Sequence, residues 1–141
     1  MKVVINNTHG GFRLSNEAIH RYAELKGMKV WTEQDKQFKN LYHHWVVPPE
    51  DRVDFPENAV WAKLPHEERQ ALNEKYRTQQ IYEREMERND PVLVQVVEEL
   101  GDLCNTQVSA PKVVEIPDDV QFTIEEYDGR EWVAEVHRTW G

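Results

Sequence analysis

Asn89-Asp90-Pro91-Val92-Leu93-Val94-Gln95-Val96-Val97-Glu98-Glu99-Leu100-Gly101-Asp102-Leu103-Cys104 is the stretch on which the fold turns. It opens with a capping pair followed by Pro, whose missing N–H costs nothing in a first helical turn. Leu93, Val96, Val97, Leu100, Leu103 and Cys104 then recur at helical spacing. This predicts a core helix over 90–104, with Leu93 and Val97 at the centre of a hydrophobic core.

Outward on the C-terminal side, residues 112–116 are a β-branched strand stopped by Pro117, and strands follow over 120–126 and 130–140. The turn between these two strands sets their register. A two-residue loop, Asp128-Gly129, would put Glu126 opposite Glu131, and opposed like charges are unfavourable. A three-residue loop with Gly129 left-handed pairs Glu126 with Arg130 instead. The second register is expected. It places Phe122, Ile124, Trp132, Ala134, Val136, Arg138 and Trp140 on one face, so Arg138 needs an anionic partner.

On the N-terminal side, residues 2–7 read as a strand carrying Val3, Val4 and Ile5, and residues 6–13 as a loop containing Gly10-Gly11. Ser15 is a helix cap flanked by the staple pair Leu14 and Ile19. The helix stripe runs through Ala18, Ile19, Tyr22, Ala23 and Leu25 to Gly27. Residues 29–32 suggest a second strand. Phe38, Leu41, Tyr42, Trp45, Val46 and Val47 suggest one or two more. Residues 33–88 read as an insertion, with a weakly amphipathic helix from Pro65 to about Arg88. The expected architecture is a single α+β domain over 1–141. Its small antiparallel sheet packs against two core helices, with an additional helical insertion.

The chain has 141 residues, 39% hydrophobic and 30% charged, enough for one core without a metal or disulfide staple. Cys104 stands alone, so an internal disulfide is impossible and a reducing cytoplasm is expected. The apolar N-terminal run is too short for a signal peptide, and no stretch has the length of a membrane span. A net charge of −9 opposes generic DNA binding.

Catalytic signals are weak. His43 and His44 point to opposite strand faces and cannot easily share a metal, and the other His residues lack ligand spacing. Cys104 reads as a core thiol. Adjacent carboxylates such as Glu98-Glu99 and Asp118-Asp119 diverge and read as solvated faces. No cofactor, metal site or catalytic residue is expected.

The loop Asn6-Asn7-Thr8-His9-Gly10-Gly11-Phe12-Arg13 is the better candidate. It leads from a strand towards a helix cap, its two Gly residues admit close backbone approach, and Phe12 offers a stacking ring. Spacing alone favours a plain turn, since the loop lacks a P-loop Lys and a dinucleotide fingerprint. Arg88 and Arg138 read either as ion-pair partners of the many acids or as phosphate clamps.

Four pieces in order carry a resemblance: Lys2-Val3-Val4-Ile5-Asn6-Asn7 with Gly10-Gly11-Phe12; Asp90-Pro91-Val92-Leu93-Val94 with Val97-Glu98-Glu99-Leu100-Gly101; Val113-Val114-Glu115-Ile116-Pro117-Asp118; and Tyr127-Asp128-Gly129 with His137-Arg138-Thr139-Trp140. Together they resemble the phage Thoeris anti-defence sponges of the first type, over roughly the first 30 and last 55 residues. The resemblance implies a viral, non-enzymatic protein acting in the host cytoplasm. It would hold a cyclic ADP-ribose isomer made by a TIR-domain enzyme, and cyclic di- or trinucleotides are also possible ligands. Homodimers or hexamers are implied as well. The expected ligand residues are Asn6, Asn7, Gly10, Gly11, Phe12, Arg13, Arg88, Arg138 and Trp140. Two alternatives stand beside it. One is an inhibitor that meets a host protein through its acidic surface. The other, an enzyme degrading a cyclic nucleotide, is disfavoured because no acid–base pair or metal set is legible.

Overall fold

A computed structural model describes residues 1–136. The chain is an α+β protein of three two-stranded antiparallel sheets and four α-helices among the described residues. It sorts into two compact units: Met28–Tyr82, and the remainder on either side of that segment.

In the remainder, β1 (Lys2–Asn6) pairs with β4 (Pro111–Glu115), setting Val3 opposite Val114 and Val4 opposite Val113. The other edge of β1 is closed without a strand. Val4 N–H donates to the Arg88 carbonyl at 2.7 Å, and Asn6 N–H donates to a Glu131 carboxylate oxygen at 2.7 Å. Two helices form the core with this sheet. In α1 (Asn16–Leu25) the Ser15 hydroxyl accepts from Ala18 N–H at 3.2 Å, and the staple residues Leu14 and Ile19 are both buried. In α4 (Pro91–Leu100) the Asp90 carboxylate accepts from Val92 N–H at 2.8 Å. Asp90 also ties the helices together, through Lys26 at 3.0 Å and the Tyr22 hydroxyl at 3.3 Å. Burial pushes the Asp90 carboxyl up, but Lys26 and the Val92 N–H outweigh it and hold the group below its usual range. Val3, Val4, Ile19, Leu93, Val96 and Cys104 are the centre of the core.

The expected helix over 90–104 ends early. Gly101 turns to φ 54°, and Gly101–Cys104 continues as a 3-10 turn. With three residues per turn instead of 3.6, the stripe loses phase. Leu103 swings out, at 64% exposed, while Cys104 stays fully buried. Burial pushes the Cys104 thiol up to about 11.

The expected hairpin register is also corrected. β5 (Phe122–Tyr127) and β6 (Arg130–Glu135) pair through a two-residue loop, with Tyr127 opposite Arg130 and Glu126 opposite Glu131. Asp128 at φ 52° and Gly129 at φ 88° form the left-handed turn that matches strand twist. The repulsion between Glu126 and Glu131 is relieved because Arg88 takes the Glu131 carboxylate away from the pair. One residue of slip flips the faces. Trp132 therefore stands opposite Glu125, not with Phe122 and Ile124, and its indole N–H donates to Glu125 at 3.1 Å. Arg138 and Trp140 lie outside the described residues.

The unit Met28–Tyr82 is built differently. β2 (Trp31–Gln34) pairs with β3 (Tyr42–Trp45), so the second strand begins two residues later than expected. α2 (Asn58–Lys63), which the sequence did not suggest, precedes α3 (His66–Thr78). The helix expected to reach about Arg88 stops at Thr78. There the chain turns back to pair with β3: Val46 N–H donates to Gln79 O, and Ile81 N–H to His44 O, both at 2.8 Å. It carries an aromatic cluster, in which half-buried Tyr76 meets buried Trp45 and exposed Phe55 edge-on with ring centres 5.6 and 5.5 Å apart. Arg52 lies over the Trp45 ring at 4.8 Å and pairs with Glu33 at 2.8 Å.

Candidate functional site

The loop over residues 6–13 is held by the C-terminal hairpin turn and by residues 108–110. Asn6 is completely buried. Its amide N–H groups donate to the Thr8 and Gly129 carbonyls at 2.8 Å, and its amide oxygen accepts from Ala110 N–H at 3.0 Å. A buried amide with its partners met in this way fixes a backbone path. Gly10 and Gly129 are required by contact. A Cβ on Gly10 would fall 1.8 Å from the Val108 carbonyl oxygen, and one on Gly129 would fall 2.3 Å from the Gly11 nitrogen. The hairpin turn therefore rests on the glycine loop backbone to backbone. Asn7 is exposed beside it.

Three guanidinium groups converge on this loop. Arg88 lies over the Phe12 ring, 3.7 Å from its centre, and grips Glu131 with both terminal nitrogens. A terminal nitrogen of Arg84 comes within 3.4 Å of where a Gly11 Cβ would stand. Arg13 reaches Glu83 at 3.4 Å, a long contact for an ion pair. Ser109, which the sequence marked only as a loop residue, is buried and donates to the Arg13 carbonyl at 2.9 Å, fixing where Arg13 departs.

The two counter-ions differ. Glu131 is gripped bidentately and accepts from Asn6 N–H. Glu83 is buried, and that burial raises its pKa despite the nearby charges of Arg13 and Arg84. An anion arriving at Arg13 would therefore displace a reluctant carboxylate, whereas one arriving at Arg88 would have to break a well-made pair.

Of the expected ligand residues, Asn6, Gly10, Gly11, Phe12, Arg13 and Arg88 are brought together around this loop. Phe12 is 3% exposed and its face is covered by Arg88, so the ring is not open to a ligand as expected. Arg84 was not anticipated. In the run Glu83-Arg84-Glu85-Met86-Glu87-Arg88 its charge is masked by the alternating Glu residues.

The unit Met28–Tyr82 holds a second arrangement that the sequence did not reveal. Asp35 accepts from Gln37 and Phe38 N–H at 2.8 and 2.9 Å, and its other oxygen meets His43 Nε2 at 2.8 Å. The His43 contact and these two N–H groups hold the Asp35 carboxyl below its usual range. The pair borders a cavity of about 360 Å³, together with Glu33, Lys36 and Gln37. A carboxylate-oriented imidazole is capable of proton transfer. It was overlooked because its partners lie eight residues apart across a hairpin. Among the described residues, no group of three or more His, Cys, Asp or Glu side chains is placed to hold a metal, and no helix is long and apolar enough to cross a membrane.

No protein-family model matches the chain, and neither the curated proteins nor the solved structures contain a match to it.

Proposed function

We propose that this chain is a non-enzymatic binding protein that captures a cyclic nucleotide of the cyclic ADP-ribose class and withholds it from its receptor, as a phage sponge against Thoeris defence does. The observation that carries this reading is the convergence of Arg13, Arg84 and Arg88 on a two-glycine loop, in a chain whose net charge is −9. Cations gathered against the overall sign of a protein suit a small anion, because the acidic remainder rejects polyanions while the local site attracts one or two phosphates. Arg13 and Arg84 are the ligand-facing pair in this account. Arg88 positions Phe12 and Glu131 beneath them. The sequence resemblance supplies the adenine and the cyclic linkage, and the glycine loop supplies room for a phosphate near the backbone.

Calorimetric titration with cyclic ADP-ribose isomers tests the proposal. Wild type is expected to bind, and Arg13→Ala with Arg84→Ala to lose at least tenfold in affinity, with circular dichroism checking that the double variant, in which buried Glu83 loses both of its cations, still folds. Binding undiminished in the double variant would remove this loop from the site.

A further inference from the structure

The arginines of the loop meet a carboxylate that is withdrawn from water yet weakly held. Glu83 stands on the 3-10 turn Glu83–Glu85, with its side chain 11% exposed. Its contact with Arg13 is long, at 3.4 Å, and the Arg13 side chain is 40% exposed. Arg84, the next residue, is exposed and acts on Glu83 through charge alone. Glu131 is buried to a similar degree, but Arg88 grips it at 2.6 and 2.9 Å and Asn6 N–H donates to it. Glu83 has the burial of a structural carboxylate without that grip, and burial outweighs its two cations to raise its pKa.

We propose that Glu83 is the resident counter-ion of the anion site, a carboxylate that an incoming phosphate displaces from Arg13 and that takes up a proton as it is displaced. The inference rests on the reading given under the previous heading and adds the regulation of that site. In the empty protein Arg13 and Arg84 offset the charge of Glu83. A phosphate that engages both guanidinium groups removes that offset and brings further negative charge close to a buried carboxylate. Such a group is stable only when neutral. One O–H bond forms on Glu83, the proton comes from solvent, and no other bond changes. A ligand whose binding takes up a proton binds more tightly as pH falls, by about tenfold per pH unit at most. Among the described residues, the charged side chains acting on Glu83 are Arg13, from the loop after β1, and Arg84 on its own turn. Glu85 and Glu87 follow on the same segment and are exposed, and Arg88 is engaged by Glu131. His9 is a further titratable group on the loop and is exposed.

The test is calorimetric titration of the full chain with ADP-ribose, whose esterified phosphates keep their charge over the range used. Wild type, Glu83→Gln and His9→Gln are compared at about pH 6 and about pH 8, in two buffers of different ionisation enthalpy. Wild type should bind roughly fivefold or more tightly at the lower pH, with a buffer-dependent enthalpy that reports proton uptake. Glu83→Gln, a neutral side chain of the same shape, should bind severalfold more tightly than wild type at the higher pH and lose the pH dependence. His9→Gln should keep the wild-type dependence, so the assignment is decided even if circular dichroism shows that Glu83→Gln does not fold. Wild-type binding that is independent of pH and buffer would overturn the coupling and leave the anion site standing. A full pH dependence in Glu83→Gln, or its loss in His9→Gln, would also overturn it, because the proton would then belong to another group. A wild-type chain that binds ADP-ribose at neither pH would overturn the binding reading itself, and the coupling with it.

Discussion

Arg88 and Glu131 are joined by two hydrogen bonds, at 2.6 and 2.9 Å, and both side chains are largely withdrawn from solvent. The pair connects the segment leading into α4, three residues ahead of its start, to the second strand of the C-terminal hairpin. Its acid also caps the open edge of β1 through Asn6 N–H. Removing one partner of such a pair leaves a poorly solvated charge behind. Glu131→Ala is expected to destabilise the protein by about 3 kcal/mol, the lower end of the range for broken buried pairs, since some exposure remains. Chemical denaturation checks this. A double-mutant cycle with Arg88→Ala should show strong coupling, and additive losses would mean that the pair is incidental.

The break in the central helix makes a paired prediction. Leu93→Ala should cost about 2–5 kcal/mol, because Leu93 is fully buried and leaves a cavity. Leu103→Ala, which the helical spacing alone would place in the same stripe, should change stability by less than about 0.5 kcal/mol, because its side chain is exposed. Equal losses at the two positions would contradict the 3-10 turn.

That contrast shows what was legible in the sequence. The caps at Ser15 and Asp90, the β-branched strands and the buried stripe of Leu93, Val96 and Val97 rest on local rules, and the structure realises them. The hairpin register was misread because the cross-strand clash between Glu126 and Glu131 was judged by the hairpin alone. Arg88, over 40 residues away in the chain, decides it. Non-local partners also explain the site. Asn6 and Phe12 looked like ligand groups while their neighbours were unknown, and both turn inward. Arg84 and the Asp35–His43 pair emerge only once chain segments meet.

The Asp35 carboxyl gives a pH signature. Its folded pKa is lowered by His43 and by the Gln37 and Phe38 N–H groups. A lowered carboxylate contributes stability above its unfolded pKa, and that stability is lost as pH falls through the folded value. The turn between β2 and β3 should therefore loosen below about pH 4. Asp35→Asn should remove this acid dependence and lower stability at neutral pH. Hydrogen exchange of the Gln37 and Phe38 amides reports it directly. Protection that is unchanged between pH 6 and pH 3 would show that the carboxylate is not holding the turn.

Self-association is expected from the apolar side chains left outside the core, including Phe38 at 61% exposed and Leu103 at 64% exposed. Light scattering at micromolar concentration should give a homodimer or a larger closed assembly. A 16.7 kDa monomer would contradict this.

The central claim is capture without chemistry. The purified chain is mixed with a cyclic ADP-ribose isomer, free ligand is removed, the protein is denatured, and the released material is identified by mass spectrometry. The account predicts the cyclic nucleotide recovered intact, in a fixed ratio to protein. Recovery of an opened or hydrolysed product, or of no nucleotide at all, would contradict it.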